Sequence, residues 1–166
     1  MALISTADPS VPVTVQTRTA VDPVRAFAVI VPIDLPTIFR KWGPFPGVRS
    51  VANQPADWDR VGASRRPELT DGSHVDEMLT EYSEGYSFAY ELTGFTSYIR
   101  RVIEGVRGEW TFTADGHGTV IRWTYEFKPL RGYRPVVRWA VAPLWRRYMT
   151  LGLAQAKAVL EASTAS

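Results

Sequence analysis

Cysteine is absent from this chain of 166 residues, which excludes disulfide bonds, thiolate nucleophiles and thiolate metal sites. Histidine is almost absent: His74 is predicted on the outer face of a strand, and His117 lies in a glycine-flanked turn. Because both are expected in solvent, no Ser-His-Asp triad and no histidine metal site can be assembled. There is also no Walker motif and no GxGxxG sequence, the short motifs that hold nucleotides. We therefore expect no metal and no cofactor.

Long apolar stretches are missing too. No uncharged apolar run of 18 residues occurs, so a transmembrane helix is not predicted. The first ten residues lack the positively charged start of a secretory signal peptide, and a signal peptide is not predicted either. We expect residues 1–10 to be a flexible N-terminus, residues 11–163 to form a single domain, and the protein to be cytoplasmic.

The two signs of charge are unevenly distributed along a chain whose formal net charge is +2. Every charged residue from Glu68 to Glu91 is acidic, and every one from Lys128 to Lys157 is basic. In the basic stretch arginines are interleaved with large rings, and these residues are Arg131, Arg134, Arg138, Trp139, Trp145, Arg146, Arg147 and Tyr148. The simplest interpretation is a solvated polar helix face. Nucleic acid is not expected as a partner. A transient contact with a membrane surface is the alternative interpretation, and it would suit a lipid carrier. The sequence indicates no oligomeric state.

Large rings are what the chain has in excess, with six Trp, seven Tyr and seven Phe. Each of them buries a large apolar area, and there are more than a domain of this size needs to close its core. We interpret the surplus as the lining of an internal cavity.

Periodicity and turn residues predict an α+β domain. A strand over residues 11–20 is followed by a helix that Asp22 caps and Pro23 begins, and by a second short helix over residues 34–42. Alternation then predicts six strands, over residues 48–53, 62–69, 73–82, 86–95, 104–113 and 119–128. A last helix over residues 134–162 has an apolar stripe, with a distortion expected at Pro143. A sheet of seven antiparallel strands curls, and the long helix can cover its concave side.

Several segments together carry a likeness to a known fold. They are Asp22-Pro23 with Phe27, residues 31–39, the hairpin over residues 65–77, residues 108–113 and residues 119–127. On these segments the chain resembles the helix-grip fold of the START/Bet v 1-like (SRPBCC) superfamily, and more narrowly its polyketide cyclase/dehydrase and lipid-transport group. The resemblance implies a curved seven-stranded antiparallel sheet with two short helices, and a long C-terminal helix over a cavity. It also implies that the cavity binds apolar molecules such as lipids, sterols or polyketides, and that only some members catalyse a reaction on them.

The hairpin around Asp71-Gly72 can be given a register from turn chemistry. A three-residue loop that ends at Gly72, with this glycine in the left-handed conformation, places Arg65 directly opposite Glu77. Both side chains then point to the apolar face of the hairpin. A two-residue loop would instead put Glu77 on the other face. The three-residue loop therefore predicts a charge-assisted Arg65–Glu77 pair in a partly desolvated place.

Two roles are open for this pair. The simpler one is a structural ion pair that neutralises itself, and the other is a polar anchor that orients a ligand's carbonyl or hydroxyl. The leading functional hypothesis is the binding of a small hydrophobic ligand, such as a lipid, a polyketide or another aromatic or apolar metabolite. The second is an enzyme of the polyketide cyclase or dehydratase kind, with Glu77, Arg65 and Tyr90 as candidate catalytic residues. The third is a non-enzymatic module that senses a ligand or holds a partner.

Alternation along the strands and spacing along the helices predict which residues line the cavity. We expect ligand contacts from Phe39, Trp42, Arg65, Glu77, Leu79, Phe88, Tyr90, Trp110, Phe112, Trp123, Tyr125, Trp145, Tyr148 and Met149. Trp139 is assigned to the same concave side, and Tyr90 and Tyr125 are expected to direct a hydroxyl group towards the ligand. Glu81 follows Glu77 on the same face by alternation and is expected nearer the rim.

Overall fold

The computed structural model describes residues 2–165, so Ser166 and Met1, which belongs to the predicted flexible segment 1–10, lie outside the description. Within this range the strands are β1 (Val11–Thr19), β2 (Val48–Ala52), β3 (Ser64–Leu69), β4 (Asp76–Ser83), β5 (Ser87–Thr93), β6 (Ile103–Asp115) and β7 (Gly118–Pro129). The helices are α1 (Pro23–Ile30), α2 (Leu35–Ile38), α3 (Arg134–Val136) and α4 (Ala142–Thr164), with a 3₁₀ turn over Tyr98–Arg101 and a π turn over Val137–Val141. The predicted α+β class and order of elements are confirmed.

The strands form one antiparallel sheet in the order β1-β7-β6-β5-β4-β3-β2. Each strand from β2 to β7 pairs with the next one along the chain, while β1 crosses to the far edge and pairs with β7. The long helix α4 contacts β1, α1 and α2. Its inward side, which includes Met149, Ala156 and Leu160, is completely buried. The core therefore lies between the inner face of the sheet and this helix.

The first helix closes one end of the core. The Asp22 side chain accepts a hydrogen bond from the Arg25 N–H at 3.0 Å, the N-cap that the sequence predicts. Phe27 on the buried side of α1 then contacts the ring of Tyr82 and the ring of Phe112, each at 5.4 Å between centroids. This end of the inner face is thus occupied by α1 and is not available to a ligand.

The second helix is shorter than predicted and ends at Ile38. The Trp42 N–H donates to the Phe45 carbonyl at 3.1 Å, and the Phe45 N–H donates back to the Trp42 carbonyl at 3.0 Å. Gly43 within this turn has a φ of +54°, a conformation that glycine adopts at little cost. The tight turn therefore replaces the predicted last helical residues and leaves Trp42 half-buried.

The C-terminal helix widens just before Pro143, where the sequence predicts a distortion. Since proline has no N–H, the carbonyl of Trp139, four residues earlier, loses its helical donor, and the π turn over Val137–Val141 accommodates the change. Val137 is completely buried in this turn, whereas Trp139 is 72% exposed. The assignment of Trp139 to the concave side is therefore wrong.

The predicted register of the β3–β4 hairpin is confirmed. Arg65 is paired with Glu77, and the Leu69 N–H donates to the Ser73 carbonyl at 2.7 Å. Gly72 has a φ of +85°, in the left-handed region that the three-residue loop requires.

Strand β4 departs from alternation further along. Its pairing with β5 shifts between Leu79 and Glu81, which marks a β-bulge. The extra residue of a bulge turns the side chains that follow it to the opposite face. Glu81 is consequently exposed and forms an ion pair with Arg107 at 2.8 Å. The expectation that Glu81 shares a face with Glu77 is wrong for this reason.

Candidate functional site

A cavity lies between the inner face of the sheet, α4 and the segments 30–48 and 95–99. The volume of the cavity is about 100 Å³. This volume is below the roughly 300–1,000 Å³ of pockets that enclose drug-sized ligands. The rings of the wall thus leave narrow clefts between them, and the wall is mostly apolar.

An ion pair forms the charged part of the cavity wall. Arg65 donates from Nε to Glu77 Oε2 at 2.9 Å and from Nη2 to Oε1 at 3.1 Å, and the two side chains are 6% and 4% exposed. Arg65 also donates from Nη1 to Gln54 Oε1 at 3.4 Å. The ring of Trp58 covers the guanidinium at 4.1 Å. The pair has no net charge, and Gln54 and Trp58 also contact Arg65. These contacts support a structural role for the pair.

Tyr90 in β5 places a hydroxyl group among the aromatic rings of the cavity wall. Trp123 Nε1 donates to the Tyr90 hydroxyl at 3.1 Å, and the Tyr125 ring lies edge-on to Tyr90 at 6.2 Å. Burial raises the pKa of Tyr90 to about 12, and the charge of Glu77 adds to this effect. Burial, together with the proximity of Tyr90, also raises the pKa of Tyr125 well above its ordinary value. At neutral pH both phenols are therefore neutral hydrogen-bonding groups.

The position of Tyr90 depends on a missing side chain in the neighbouring strand. Gly108 of β6 is paired with Tyr90 on one side and with Tyr125 on the other. A Cβ atom at position 108 would lie 2.3 Å from Tyr90 Cζ and 2.6 Å from its hydroxyl oxygen, well inside van der Waals contact. The Tyr90 phenol lies over the backbone of β6 because residue 108 is glycine.

Two rings of α4 complete the wall on the helix side. The Tyr148 hydroxyl donates to the Pro46 carbonyl at 2.7 Å, and burial raises the pKa of this phenol. Trp145 packs edge-on against Phe45 with ring centroids 4.7 Å apart. Its Nε1 atom is buried and has no hydrogen-bond partner among residues 2–165. Since buried N–H groups normally have a partner, this indole is an unsatisfied donor, as are Trp58 Nε1 and Thr80 Oγ1 over the same range of residues.

Ten of the fourteen predicted contact residues lie in the cavity wall: Phe39, Arg65, Glu77, Phe88, Tyr90, Trp110, Trp123, Tyr125, Trp145 and Tyr148. The three candidate catalytic residues are among these ten. The wall does not include Trp42, Leu79, Phe112 or Met149. A ligand contact for any of the ten stays a prediction.

The four residues outside the wall are covered by other parts of the fold. Phe112 packs against Phe27 of α1, and Trp42 belongs to the turn with Phe45. Leu79 and Met149 are completely buried in the core. Alternation gives the face of a strand on which a residue lies, but it does not give the point where a covering helix ends and open space begins.

The predicted contact set omits sixteen further residues of the wall, most of which are aliphatic. The additional residues are Ile30, Val31, Ile33, Leu35, Ile38, Phe45, Pro46, Val48, Pro67, Leu69, Val75, Leu92, Phe95, Ser97, Tyr98 and Ile99. Several of these belong to the turns between α1 and β2 and to the connection between β5 and β6. The clustering of apolar residues in these connections could have indicated that the connections contribute to the wall. A connection has no period, however, that shows which of its side chains point inward.

Residues 2–165 contain neither a cluster of metal ligands nor a membrane-spanning helix. No group of three His, Asp or Glu side chains is arranged to hold a metal ion. In the same range, no helix combines the length and the apolar character needed to cross a bilayer.

The fold and cavity define a helix-grip protein, in which a seven-stranded antiparallel sheet and a long C-terminal helix surround an apolar space. Residues 10–161 match the family described as polyketide cyclase / dehydrase and lipid transport, and the chain belongs to this family, within the START/Bet v 1-like superfamily. The chain is similar in fold to the crystal structure of Ara h 8.0201, with a TM-score of 0.66 over 92% of this chain and 99% of that chain, at 17% sequence identity. At this identity the likeness concerns the fold alone. No curated protein matches the sequence.

Proposed function

We propose that this protein binds a compact, neutral and mostly apolar molecule in the cavity under α4. The observation that carries the proposal is the composition of the wall, which is built of rings and aliphatic side chains around one internally neutralised ion pair. Apolar pockets with a few fixed polar groups are the usual form of a small-molecule site. The description of the family, which includes lipid transport, supports a ligand of this class.

The wall favours a neutral ligand with a hydrogen-bond acceptor. Arg65 and Glu77 satisfy each other, so neither is free to neutralise a charge on the ligand, and burial of an unpaired charge is unfavourable. A ligand oxygen near Trp145 would pair the unpartnered indole N–H. An aromatic or alicyclic ketone is the simplest molecule that has both properties.

The ligand is also expected to displace some of the lining rings. A cavity of about 100 Å³ is smaller than the roughly 150 Å³ of an engineered cavity that takes up benzene. A molecule larger than one ring therefore has to join neighbouring clefts by pushing side chains to new rotamers. Tyr98 in the wall is 51% exposed, so an outward swing of its ring would lose little packing, although it would break the hydrogen bond from the Tyr98 hydroxyl to the Pro44 carbonyl.

A polyketide cyclase or dehydratase activity is the second candidate, because a carboxylate, a guanidinium and phenols share one apolar cavity. Two observations favour binding over proton transfer. Both Glu77 oxygens already accept bonds from Arg65, and Tyr90, with a pKa of about 12, keeps its proton. Neither group is a free base near neutral pH. Catalysis in this cavity would depend on the conformation and orientation that the wall imposes on the substrate.

Binding is tested with a matched pair of probes, the bicyclic ketone 1-tetralone and its parent hydrocarbon tetralin. Protein purified without added ligand is first examined by native mass spectrometry for a co-purified apolar mass, and stripped protein is then titrated calorimetrically. We expect saturable binding of both probes. Trp145→Phe removes some apolar contact with both probes, and should weaken ketone binding about fivefold more than tetralin binding, the effect of one lost hydrogen bond.

The control is Trp139→Phe, the same substitution at an exposed position in the π turn that precedes α4, which should change neither affinity. Absence of a co-purified mass together with absence of saturable binding would contradict the proposal. Catalytic conversion of a poly-β-ketone substrate with loss of water would instead favour the second candidate. Glu77→Gln then separates two roles: loss of turnover with affinity preserved would assign proton transfer to Glu77, and retained turnover would assign catalysis to the orientation of the substrate.

A further inference from the structure

The outer side of the C-terminal helical segment, residues 134–164, carries several exposed apolar side chains. The large ones are Val136, Trp139, Leu144 and Leu151, which are 44%, 72%, 43% and 42% exposed. Ala140 and Pro143 between them are exposed as well. We call these six residues the helix ridge. A helix that covers a core normally turns polar side chains to solvent, and single exposed apolar residues are ordinary, but several of them repeated along one segment indicate a partner.

Arginines flank the helix ridge. Arg134, Arg138, Arg146 and Arg147 are all exposed, and none of them has an ion-pair partner among residues 2–165. No acidic residue occurs between Glu126 and Glu161 in the sequence. The first three of these arginines line a groove between the helix and β1. The surface is thus both apolar and strongly basic.

We propose that the helix ridge docks on a bilayer surface that contains anionic lipid. An apolar helix face bordered by Arg and Trp is the composition of helices that lie in the membrane interface. Trp139 and the aliphatic residues would enter the region below the headgroups, and the arginines would pair with lipid phosphates. Trp145 of α4 lines the cavity, so docking would bring the helix side of the cavity wall close to the bilayer.

Two other occupants fit the observations less well. In a symmetric dimer the same patch meets itself, so the arginines of both copies would converge with no acidic residue on either ridge to pair with them. A nucleic acid would pair with the arginines, because its backbone is anionic. It would, however, leave Val136, Leu144 and Leu151 without an apolar partner. A bilayer satisfies both kinds of side chain.

Co-sedimentation with phosphatidylcholine vesicles, with and without phosphatidylserine, tests the proposal. We expect the wild-type protein to bind the vesicles that contain phosphatidylserine, to bind pure phosphatidylcholine weakly, and to be released by high salt. Trp139→Ser combined with Leu144→Ser should lower the bound fraction about tenfold, and so should Arg134→Gln combined with Arg138→Gln.

Matched controls change the same kinds of residue elsewhere. Tyr86 and Val61 are 71% and 64% exposed, and their joint change to Ser should leave vesicle binding intact. The same result is expected for Arg60→Gln combined with Arg122→Gln, which removes the same charge. Thermal unfolding checks that the variants fold. The docking residues lie outside the cavity wall, so tetralone binding should persist in all of them. A failure of docking is therefore distinguishable from a failure of ligand binding.

The proposal is wrong if phosphatidylserine vesicles do not retain the wild-type protein, or if the ridge variants bind as the wild type does. It is also wrong if Trp139→Ser/Leu144→Ser converts a dimer to a monomer in analytical ultracentrifugation, since the ridge would then cover a second copy. Binding of duplex DNA that displaces the protein from vesicles and survives in this variant would assign the arginines to nucleic acid.

Discussion

Arg65 and Glu77 form the ion pair whose disruption is expected to lower the free energy of unfolding most clearly. They lie opposite each other in β3 and β4 with side chains 6% and 4% exposed. The adjacent residues Arg66 and Asp76 form an ion pair at 2.8 Å on the outer face, where the side chains are 42% and 48% exposed. The same two strands thus carry one buried and one solvated pair, and burial is the main difference between them.

Arg65→Met is expected to lower the free energy of unfolding by about 3–5 kcal/mol, because it leaves a buried carboxylate without its partner. Arg66→Met should lower it by less than about 1 kcal/mol. The double variant Arg65→Met/Glu77→Leu should recover most of the stability, since it removes both charges. Urea unfolding measures all three. Equal losses for Arg65→Met and Arg66→Met would contradict the structural role of the buried pair.

The raised pKa of Tyr90 predicts a loss of stability in alkali. In the unfolded chain a tyrosine ionises near pH ~10, whereas burial and the charge of Glu77 raise the pKa of Tyr90 to about 12 in the folded protein. The stabilisation is therefore complete below pH ~10 and is lost as the pH rises from there towards the folded pKa.

Urea unfolding at two pH values measures this effect. From pH ~9 to pH ~11 the Tyr90 contribution should fall by about 1 kcal/mol, and Tyr90→Phe should remove that part of the slope. Tyr86→Phe, at a position that is 71% exposed, is the control and should retain the slope of the wild type. An unchanged slope in Tyr90→Phe would contradict the assignment.

At the residue scale, the part of the site that could be predicted from the sequence is the part that depends on turns and on alternation within single strands. The Arg65–Glu77 pairing follows from one turn and from the period of two strands, and both are local. The Trp58 ring and the Gln54 side chain that hold Arg65 come from the loop between β2 and β3. No period in that loop indicates that its side chains fold back over the sheet.

At the scale of elements, the packing of β5 on β6 depends on Gly108. Gly108→Ala is expected to destabilise the protein by about 1–3 kcal/mol, because the new methyl group overpacks the Tyr90 ring. In a Tyr90→Leu background the same change should have a much smaller effect, since the clash is gone. A double-mutant cycle measured by urea unfolding gives the coupling. Strict additivity of the two changes would show that the Tyr90 ring does not depend on Gly108.

The order and type of the elements could be predicted, and so could a distortion at Pro143, but the bulge in β4 and the form of the distortion could not. The bulge between Leu79 and Glu81 and the π turn over Val137–Val141 each change the face on which later residues lie. For this reason the faces of Glu81 and Trp139 were predicted wrongly, although the strand and the helix that contain them were predicted correctly.

At the scale of the whole molecule, a ligand in the cavity should stabilise the fold, because it binds the folded chain and not the unfolded one. At a ligand concentration about 100 times its Kd, the free energy of unfolding should rise by about 2.7 kcal/mol, which corresponds to an increase in Tm of roughly 5–10 °C. Thermal unfolding of stripped protein with and without 1-tetralone measures this.

Val75→Phe, a larger side chain in the cavity wall, should abolish the ligand-induced rise in Tm by filling free space. Val61→Phe makes the same substitution at a position that is 64% exposed and should retain the rise. If Val75→Phe does not fold, Ile33→Phe, a half-buried wall residue, serves instead. An undiminished rise in a folded, cavity-filled variant would mean that the ligand binds elsewhere.

The sequence by itself determined the seven strands, the hairpin register with its buried ion pair, and a surplus of rings on one side of the sheet. These follow from side-chain period, turn chemistry and composition, which act over a few residues. Tertiary structure alone decided which rings pack against helices and which face open space, how little of that space is free, and that Trp139 points to solvent. Those outcomes depend on contacts between segments far apart in the chain, where bulges, proline and close packing override the local period.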